Sequence, residues 1–136
     1  MSKSDDKSQR EQLIRSLITN GALSNEDVIR AMRKVHREEF LPVSIRGNAY
    51  DDTPLPLSEG QTISAPHMVA MMCQYLKLKR GDKVLEVGSG SGYHAAVMAE
   101  IVASKETGEG GHVFTTEIIR ELAEFAEKNI INSSYD

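Results

Sequence analysis

The stretch Lys83-Val-Leu-Glu-Val-Gly-Ser-Gly-Ser-Gly-Tyr93 decides the fold of this chain. Its apolar residues Val84, Leu85 and Val87 predict a buried strand of a parallel sheet. Glycines follow at positions 88, 90 and 92, and an apolar helical pattern begins at Tyr93. A strand, a glycine turn and a helix in this order predict a doubly wound α/β fold. The turn is expected to border a nucleotide-type ligand, because glycine permits close approach of the backbone.

The spacing of the three glycines narrows the class of ligand that the turn is expected to bind. A dinucleotide-binding turn would place its third glycine at position 93, where this chain has Tyr93, so a nicotinamide dehydrogenase is disfavoured. The observed G-x-G-x-G pattern after Val-Leu-Glu-Val resembles the first motif of methyltransferases that use S-adenosylmethionine (SAM). A tight strand–helix turn that holds no ligand would use the same residues, and it remains an alternative.

A second feature, an acidic residue after the next strand, agrees with a nucleoside ligand. Residues 112–116 predict the next strand, and Glu117 follows it directly. Ligands of doubly wound sheets bind outside the carboxyl ends of the strands, where a carboxylate can accept hydrogen bonds from both ribose hydroxyls. The alternative is an ordinary acidic residue near the start of a helix over 118–131, stabilised by the helix dipole.

Composition limits the class of protein. The 136 residues suffice for one domain, and 40% apolar with 26% charged residues is typical of a globular chain. The net charge of −4 and the lack of a basic stripe disfavour nucleic-acid binding. No apolar run reaches the roughly 20 residues of a membrane span. Cys73 is the single cysteine, which predicts a core position without a disulfide and a cytoplasmic location.

The pattern along the chain predicts three regions. Residues 1–7 are expected to be a disordered tail, 8–80 a helical and substrate-loop region, and 81–136 the first part of a cofactor-binding domain. Ser24 is the expected N-cap of the second helix, which should fade near Phe40. Residues 42–63 lack a clear period, and a long segment of that kind is often functional. A third helix is expected to be capped by Ser64 or Ala65. Its apolar face is expected to include Met68, Met72, Tyr75 and Leu76, with Val69 and Cys73 alongside.

The segment Gly60-Gln-Thr-Ile-Ser-Ala-Pro-His-Met68 is a second candidate site. It places the hydroxyls of Thr62 and Ser64 beside a helix N-terminus, where backbone N–H groups can bind a carboxylate. An ordinary helix cap would require the same residues. His67 has no histidine or cysteine at metal-ligand spacing, so we predict a solvated or core-rim side chain and no metal site.

This segment, preceded by Tyr50-Asp-Asp-Thr-Pro-Leu-Pro-Leu57, resembles the region before the first motif of protein-L-isoaspartate (D-aspartate) O-methyltransferases. The stretches over 83–100 and 113–129 are similar to that family's first motif and its next strand–helix unit. The resemblance implies that Ser64 is the active-site serine. It also implies three groups of SAM-binding residues: Gln61, Thr62 and Ile63 along the cleft, Glu86, Val87, Gly88, Ser89, Gly90 and Gly92 at the methionine end, and Glu117 at the ribose.

The same resemblance implies the reaction. The free carboxylate of an L-isoaspartyl residue in a damaged protein would accept the SAM methyl group, which is a protein-repair activity. Ser64 would orient this carboxylate by a hydrogen bond, and residues 42–63 would shape the peptide groove. Another SAM methyltransferase, or a non-catalytic piece that acts as a binding or assembly module, remains an alternative.

The resemblance also implies a sheet of seven strands, of which this sequence contains the first two. We therefore expect a Rossmann-like doubly wound sheet that is truncated after its second strand–helix unit and preceded by a helical extension. The strand over 83–87 would have an unpaired apolar edge, through which the chain is expected to self-associate. Alone, residues 1–136 are expected to have weak or no activity.

Overall fold

The computed structural model describes residues 2–103 and 110–135. Within them, two 3-10 turns lie at Arg37–Phe40 and Val43–Asn48. The helices and strands are α1 (Lys3–Thr19), α2 (Glu26–Lys34), β1 (Leu55–Pro56), β2 (Thr62–Ile63), α3 (Pro66–Tyr75), β3 (Lys83–Val87), α4 (Tyr93–Val102), β4 (His112–Thr116) and α5 (Arg120–Asn132). The three glycines of the stretch 105–111 predict a flexible surface loop, and most of this stretch lies outside the described residues.

The two N-terminal helices differ from the sequence prediction at their starts. Helix α1 begins at Lys3, so the expected tail is wrong for residues 3–7; Asp5 and Asp6 lie in its first turn, where acidic side chains stabilise a helix. The N-cap of α2 is Asn25 rather than Ser24. The Asn25 side chain accepts hydrogen bonds from the amides of two first-turn residues, at 2.9 and 3.1 Å.

The long segment between α2 and α3 is more ordered than its sequence suggested. Helix α2 ends at Lys34, and the 3-10 turns follow in place of a helix that continues to Phe40. Strands β1 and β2 then pair antiparallel, with Leu55 opposite Ile63. The amide of Leu57 donates to the Gln61 carbonyl at 2.7 Å, which closes the hairpin. Ser64 therefore follows directly after the second strand of this hairpin.

Helix α3 buries only one part of the predicted apolar surface, the part formed by its smaller side chains. Val69 and Cys73 are each 1% exposed, and Ala70 is fully buried. The larger residues of the predicted face, Met68, Met72, Tyr75 and Leu76, are 43–77% exposed. The small side chains let α3 pack against α2 and let Cys73 contact His94 of α4, so size decides the buried face more than hydrophobicity does.

Strands β3 and β4 have the predicted bounds and pair in parallel, with Leu85 opposite Phe114. One face packs against α4, but the other face is open: Leu85 is 68%, Val87 84% and Phe114 52% exposed. The expectation of a fully buried strand is therefore wrong, because the helices within the described residues cover only one side of this pair.

One hydrophobic core joins the chain. It contains residues from both of the regions expected at 8–80 and 81–136, including Ile14, Leu17, Phe40, Val97 and Leu122. The Phe40 ring meets the Tyr93 ring edge-on at 5.8 Å, next to the glycine turn. The parallel β3–α4–β4 unit confirms the α/β class. In the part of the chain described, no helix has both the length and the apolar character to cross a bilayer.

Candidate functional site

The glycine turn between β3 and α4 contains two kinds of glycine. Gly88, Gly90 and Gly92 all have left-handed backbones, with φ of 93°, 52° and 88°. A Cβ atom at Gly92 would lie 3.1 Å from Ile130 and 3.2 Å from the Ala126 carbonyl oxygen on α5. A Cβ atom at Gly88 would meet nothing within 4 Å. Gly92 is therefore required for packing, whereas Gly88 leaves space beside the backbone for a ligand.

The turn is fixed by hydrogen bonds to β4 and α5. The amides of Gly88 and Ser89 both donate to the Thr116 carbonyl, at 2.8 and 2.9 Å. Asn129 Nδ2 of α5 donates to the Ser91 carbonyl at 3.0 Å. Ser89 Oγ is buried and has no partner among residues 2–103 and 110–135. The turn thus presents a fixed backbone with one unused hydroxyl.

Glu117 joins the end of β4 to this turn. Its Oε1 accepts from the Gly90 amide at 3.0 Å, and its Oε2 accepts from the Ile119 amide at 3.2 Å. The hydrogen bond from the Gly90 amide, and after it the bond from the Ile119 amide, hold the pKa of the Glu117 carboxyl below its ordinary value. Glu117 is therefore an ionised acceptor, and a carboxylate retains further lone pairs for hydroxyl groups. Glu117 and the glycine turn, which are 27 positions apart in the sequence at Gly90, are therefore in contact.

Glu86 is oriented differently from Glu117. Its Oε1 accepts from Thr115 Oγ1 at 2.6 Å, and its Oε2 lies 3.7 Å from His94 Nδ1 on α4. Burial raises its pKa, and the charge of Glu117 raises it further. The carboxylate lies between the sheet and α4, so its predicted contact with a cofactor stays a prediction. The neighbouring Val87 side chain points to the open face and is 84% exposed.

Cys73 lies behind Glu86 and His94. Its Sγ is 3.4 Å from His94 Nε2, and burial raises the pKa of the thiol to about 12. A buried protonated thiol is a poor nucleophile, so the prediction of a core cysteine is confirmed. The described residues contain no group of three or more side chains that could hold a metal ion.

The start of α3 places Ser64 at the surface. The Ser64 side chain is exposed, and its hydroxyl has no hydrogen-bond partner in the described part of the chain. Ala65 is the N-cap and provides no side-chain acceptor. Asp52 supplies it instead: its Oδ1 accepts from the His67 amide at 2.9 Å and lies 2.9 Å from His67 Nδ1. Of the two expected caps, Ser64 and Ala65, the structure has Ala65, and the Ser64 hydroxyl is available for a ligand.

The hairpin before Ser64 borders the glycine turn. Gln61 and Thr62 are exposed and Ile63 is buried. Gln61 Nε2 donates to the Glu59 carbonyl at 3.4 Å within the hairpin turn. Leu57 Cδ1 would lie 3.8 Å from a Cβ atom at Gly90, which places the hairpin beside the turn.

Three residues that support the site were missed from the sequence. Arg37 donates to the carbonyl of Ser64, Asp52 caps α3, and Asn129 holds Ser91. Each acts on a residue at least 15 positions away. No local pattern marks them, because their partners are set by the tertiary fold.

Known proteins are similar to this chain in sequence. The family model for protein-L-isoaspartate (D-aspartate) O-methyltransferase matches residues 8–136. The protein-L-isoaspartate O-methyltransferase of Hyperthermus butylicus is 59% identical over 128 residues, which is 93% of this chain and 53% of that protein. The Ignicoccus hospitalis protein of the same name is 55% identical, covering 94% of this chain and 58% of its own length. The chain thus spans about half the length of the curated relatives it matches.

A solved structure agrees with these relatives. The crystal structure of a protein-L-isoaspartate O-methyltransferase from Plasmodium falciparum, in complex with S-adenosyl-L-homocysteine, superimposes with a TM-score of 0.81 at 33% identity. The match covers 93% of this chain and 56% of that one. The chain therefore belongs to the protein-L-isoaspartate (D-aspartate) O-methyltransferase family.

Proposed function

We propose that this chain supplies the SAM-binding turn and the active-site serine of an enzyme that methylates the free carboxylate of L-isoaspartyl residues in damaged proteins. The contact between Glu117 Oε1 and the Gly90 amide carries the proposal, because it sets an ionised acceptor against an open glycine turn. The family and the Plasmodium falciparum neighbour, crystallised with S-adenosyl-L-homocysteine, support this choice of cofactor.

The residues present fit SAM. The backbone at Gly88 is open, and Glu117 has lone pairs for the two ribose hydroxyls. The backbone from Glu86 to Gly92, including Val87 and Ser89, would border the methionine end. Gln61, Thr62 and Ile63 would line the cleft from the hairpin side. In this scheme residues 81–136 supply most of the cofactor site, and residues 8–80 supply the substrate side together with the cleft residues 61–63. Both regions contribute to one core.

The chemistry requires positioning more than acid–base catalysis. When bound, SAM supplies a methyl group on a positively charged sulfur; its transfer leaves a methyl ester and the neutral thioether, with no proton moved. An isoaspartyl carboxylate is already ionised at neutral pH, so no general base is needed. Ser64, whose hydroxyl is exposed, would donate a hydrogen bond that orients the attacking carboxylate.

Ser64→Ala tests this function. SAM affinity is measured by calorimetry, and methyl transfer to an isoaspartyl peptide is measured with labelled SAM. The Hyperthermus butylicus relative serves as the positive control. We expect Ser64→Ala to lower transfer about 10²-fold and to change SAM affinity by less than about twofold, because the hydroxyl acts on the substrate alone.

Ser58→Ala, a change of another exposed serine in the hairpin turn, is the matched control and should alter neither quantity. The proposal fails for this chain if it binds no SAM under conditions in which the relative does. Equal methylation of the isoaspartyl peptide and its normal aspartyl counterpart would favour another SAM methyltransferase.

A binding or assembly role is the second candidate, and the open face of the β3–β4 pair favours it. We propose that the chain self-associates through the edge and face that contain Leu85, Val87 and Phe114, because an apolar patch beside an unpaired strand promotes association. Sedimentation equilibrium should show a dimer that Leu85→Thr weakens and Tyr75→Ser, at an exposed site on α3, does not. A monomer at all concentrations would contradict this. A cytoplasmic location remains a prediction from the single cysteine.

A further inference from the structure

Arg37 is the most deeply buried charged side chain within the described residues, at 0% exposure. It begins the first 3-10 turn, in a stretch rich in charged residues that otherwise lie nearer the surface. Removing a guanidinium from water costs several kcal/mol unless hydrogen bonds replace the lost hydration. The hydrogen bonds of Arg37 must therefore replace the hydration that its guanidinium loses on burial.

The Arg37 guanidinium connects three separate segments. Its Nη1 donates to the Ala49 carbonyl at 3.1 Å, and its Nη2 donates to the carbonyls of Thr53 and Ser64 at 3.4 and 3.3 Å. Its Cζ lies 5.8 Å from the centre of the Tyr93 ring, at the first residue after the glycine turn. One planar group thus bridges the segment before the hairpin, the candidate active-site serine and the start of α4.

The charge of Arg37 is retained despite burial. Desolvation lowers its pKa, while the nearby charges of Asp52 and Asp51 act in the opposite direction. The pKa of an arginine is so high that the side chain stays protonated in proteins. Its Nε has no hydrogen-bond partner in the described part of the chain. The hydrogen bonds that replace hydration are therefore made by Nη1 and Nη2, the two terminal nitrogens that form the fork of the guanidinium.

We propose that Arg37 is a positioning residue for methyl transfer, which fixes the Ser64 backbone relative to the glycine turn. This inference rests on the proposed function of Ser64. A rigid fork can hold the carbonyls of Thr53 and Ser64 together while its Cζ lies over the Tyr93 ring. Lysine is a point charge on a flexible stem and cannot reproduce both contacts, so Arg37→Lys should keep the charge and lose the geometry.

The kinetic test compares Arg37→Lys with the unmodified chain. We expect kcat for the isoaspartyl peptide to fall about 10²-fold, because displacement of a reacting group by about 1 Å has that effect. The SAM dissociation constant should change by less than about twofold, since Arg37 touches no residue of the glycine turn itself. An unchanged kcat, or an equal loss in SAM affinity, would overturn the proposal.

Amide hydrogen exchange gives a test that needs no activity. The amides of Met68 and Val69, which donate to the Ala65 carbonyl, report on the start of α3, and that of Ala96 reports on α4. In Arg37→Lys the α3 amides should lose about tenfold more protection than Ala96, because local loosening adds to any global destabilisation. A uniform loss across all three amides would show a merely structural role and overturn the proposal.

The kinetic test and the hydrogen-exchange test together distinguish failure of the Arg37 proposal from failure of the proposed function. Residues 1–136 alone are expected to have weak or no activity, so if the unmodified chain transfers no methyl group, exchange alone decides the role of Arg37. Absence of SAM binding is the result that overturns the proposed function. If Arg37→Lys does not fold, hydrogen exchange of the unmodified chain tests the proposal. The proposal then requires that the Met68 and Val69 amides exchange at a rate close to that of the Ala96 amide. Exchange at the rate of unstructured peptide there would overturn the proposal, since a fixed Ser64 backbone excludes it.

Discussion

The glycine turn and the start of α3 border the same candidate site, but they are held in different ways. The turn is fixed mainly by backbone hydrogen bonds to Thr116 and by left-handed torsions that glycine alone adopts easily. The start of α3 is fixed by two side chains from earlier in the chain, Arg37 and Asp52. One side of the site therefore depends on backbone shape and the other on side-chain contacts, and substitutions should separate them.

Gly92→Ala is expected to have the largest effect. The left-handed torsion costs a non-glycine residue about 1–2 kcal/mol, and contact of the new methyl with α5 adds about 1–3 kcal/mol. We expect the free energy of unfolding, measured in urea, to fall by about 3 kcal/mol.

Gly88→Ala is the matched control, because it has a similar torsion but open space around the added methyl. Its loss should be about 1–2 kcal/mol, from the torsion alone. Equal losses at the two positions would show that packing against α5 does not distinguish the glycines of this turn.

Asp52→Ala tests the side held by side chains. It removes the acceptor of the His67 amide, and loss of a helix cap costs about 1 kcal/mol. Urea unfolding should detect this loss. Asp51→Ala, which removes an exposed contact to Asn48 at 3.0 Å, is the control and should cost less. If both variants lose the same stability, Asp52 is no more than an ordinary surface acid.

The backbone-held side is also the side that the sequence predicted well. The bounds of β3 and β4 and the meeting of Glu117 with the glycine turn follow from short apolar runs and from parallel pairing, which aligns the strand ends. These features depend on residues close to the turn or in register with it. They could be predicted because backbone geometry leaves few alternatives.

The side held by side chains could not be predicted in the same way. The stretch around Arg37 is rich in charge, which favours a solvated surface, yet Arg37 is fully buried. Helix α3 carries apolar residues on two faces, and packing against α2 and α4 selected the smaller ones. Asn25 and Ser24 are both good caps, so only the observed contacts decide between them.

Glu117→Gln tests a side chain that, like Asn129, is hydrogen-bonded to the backbone of the turn. The folded-state pKa of Glu117 is lowered, so its charge stabilises the fold above the ordinary value of 4.5, and this contribution is lost as the pH falls through the lowered value. We expect the stability difference between wild type and Glu117→Gln to be constant near neutral pH and to shrink in acid. Glu121→Gln, in the first turn of α5, is the control and should show a smaller difference. A difference that grows in acid would contradict the assignment.

The smallest expected effect is on the titration of Glu86. Burial is the main reason that its pKa is raised, and the negative charge of Glu117 is a further one. In Glu117→Gln the pKa of Glu86 should therefore fall, yet stay above the ordinary value of 4.5, because burial remains. Carboxyl chemical shifts from NMR titration measure this directly. An unchanged Glu86 titration would mean that the two carboxylates do not sense each other, and that the turn and the interior of the sheet are electrostatically separate.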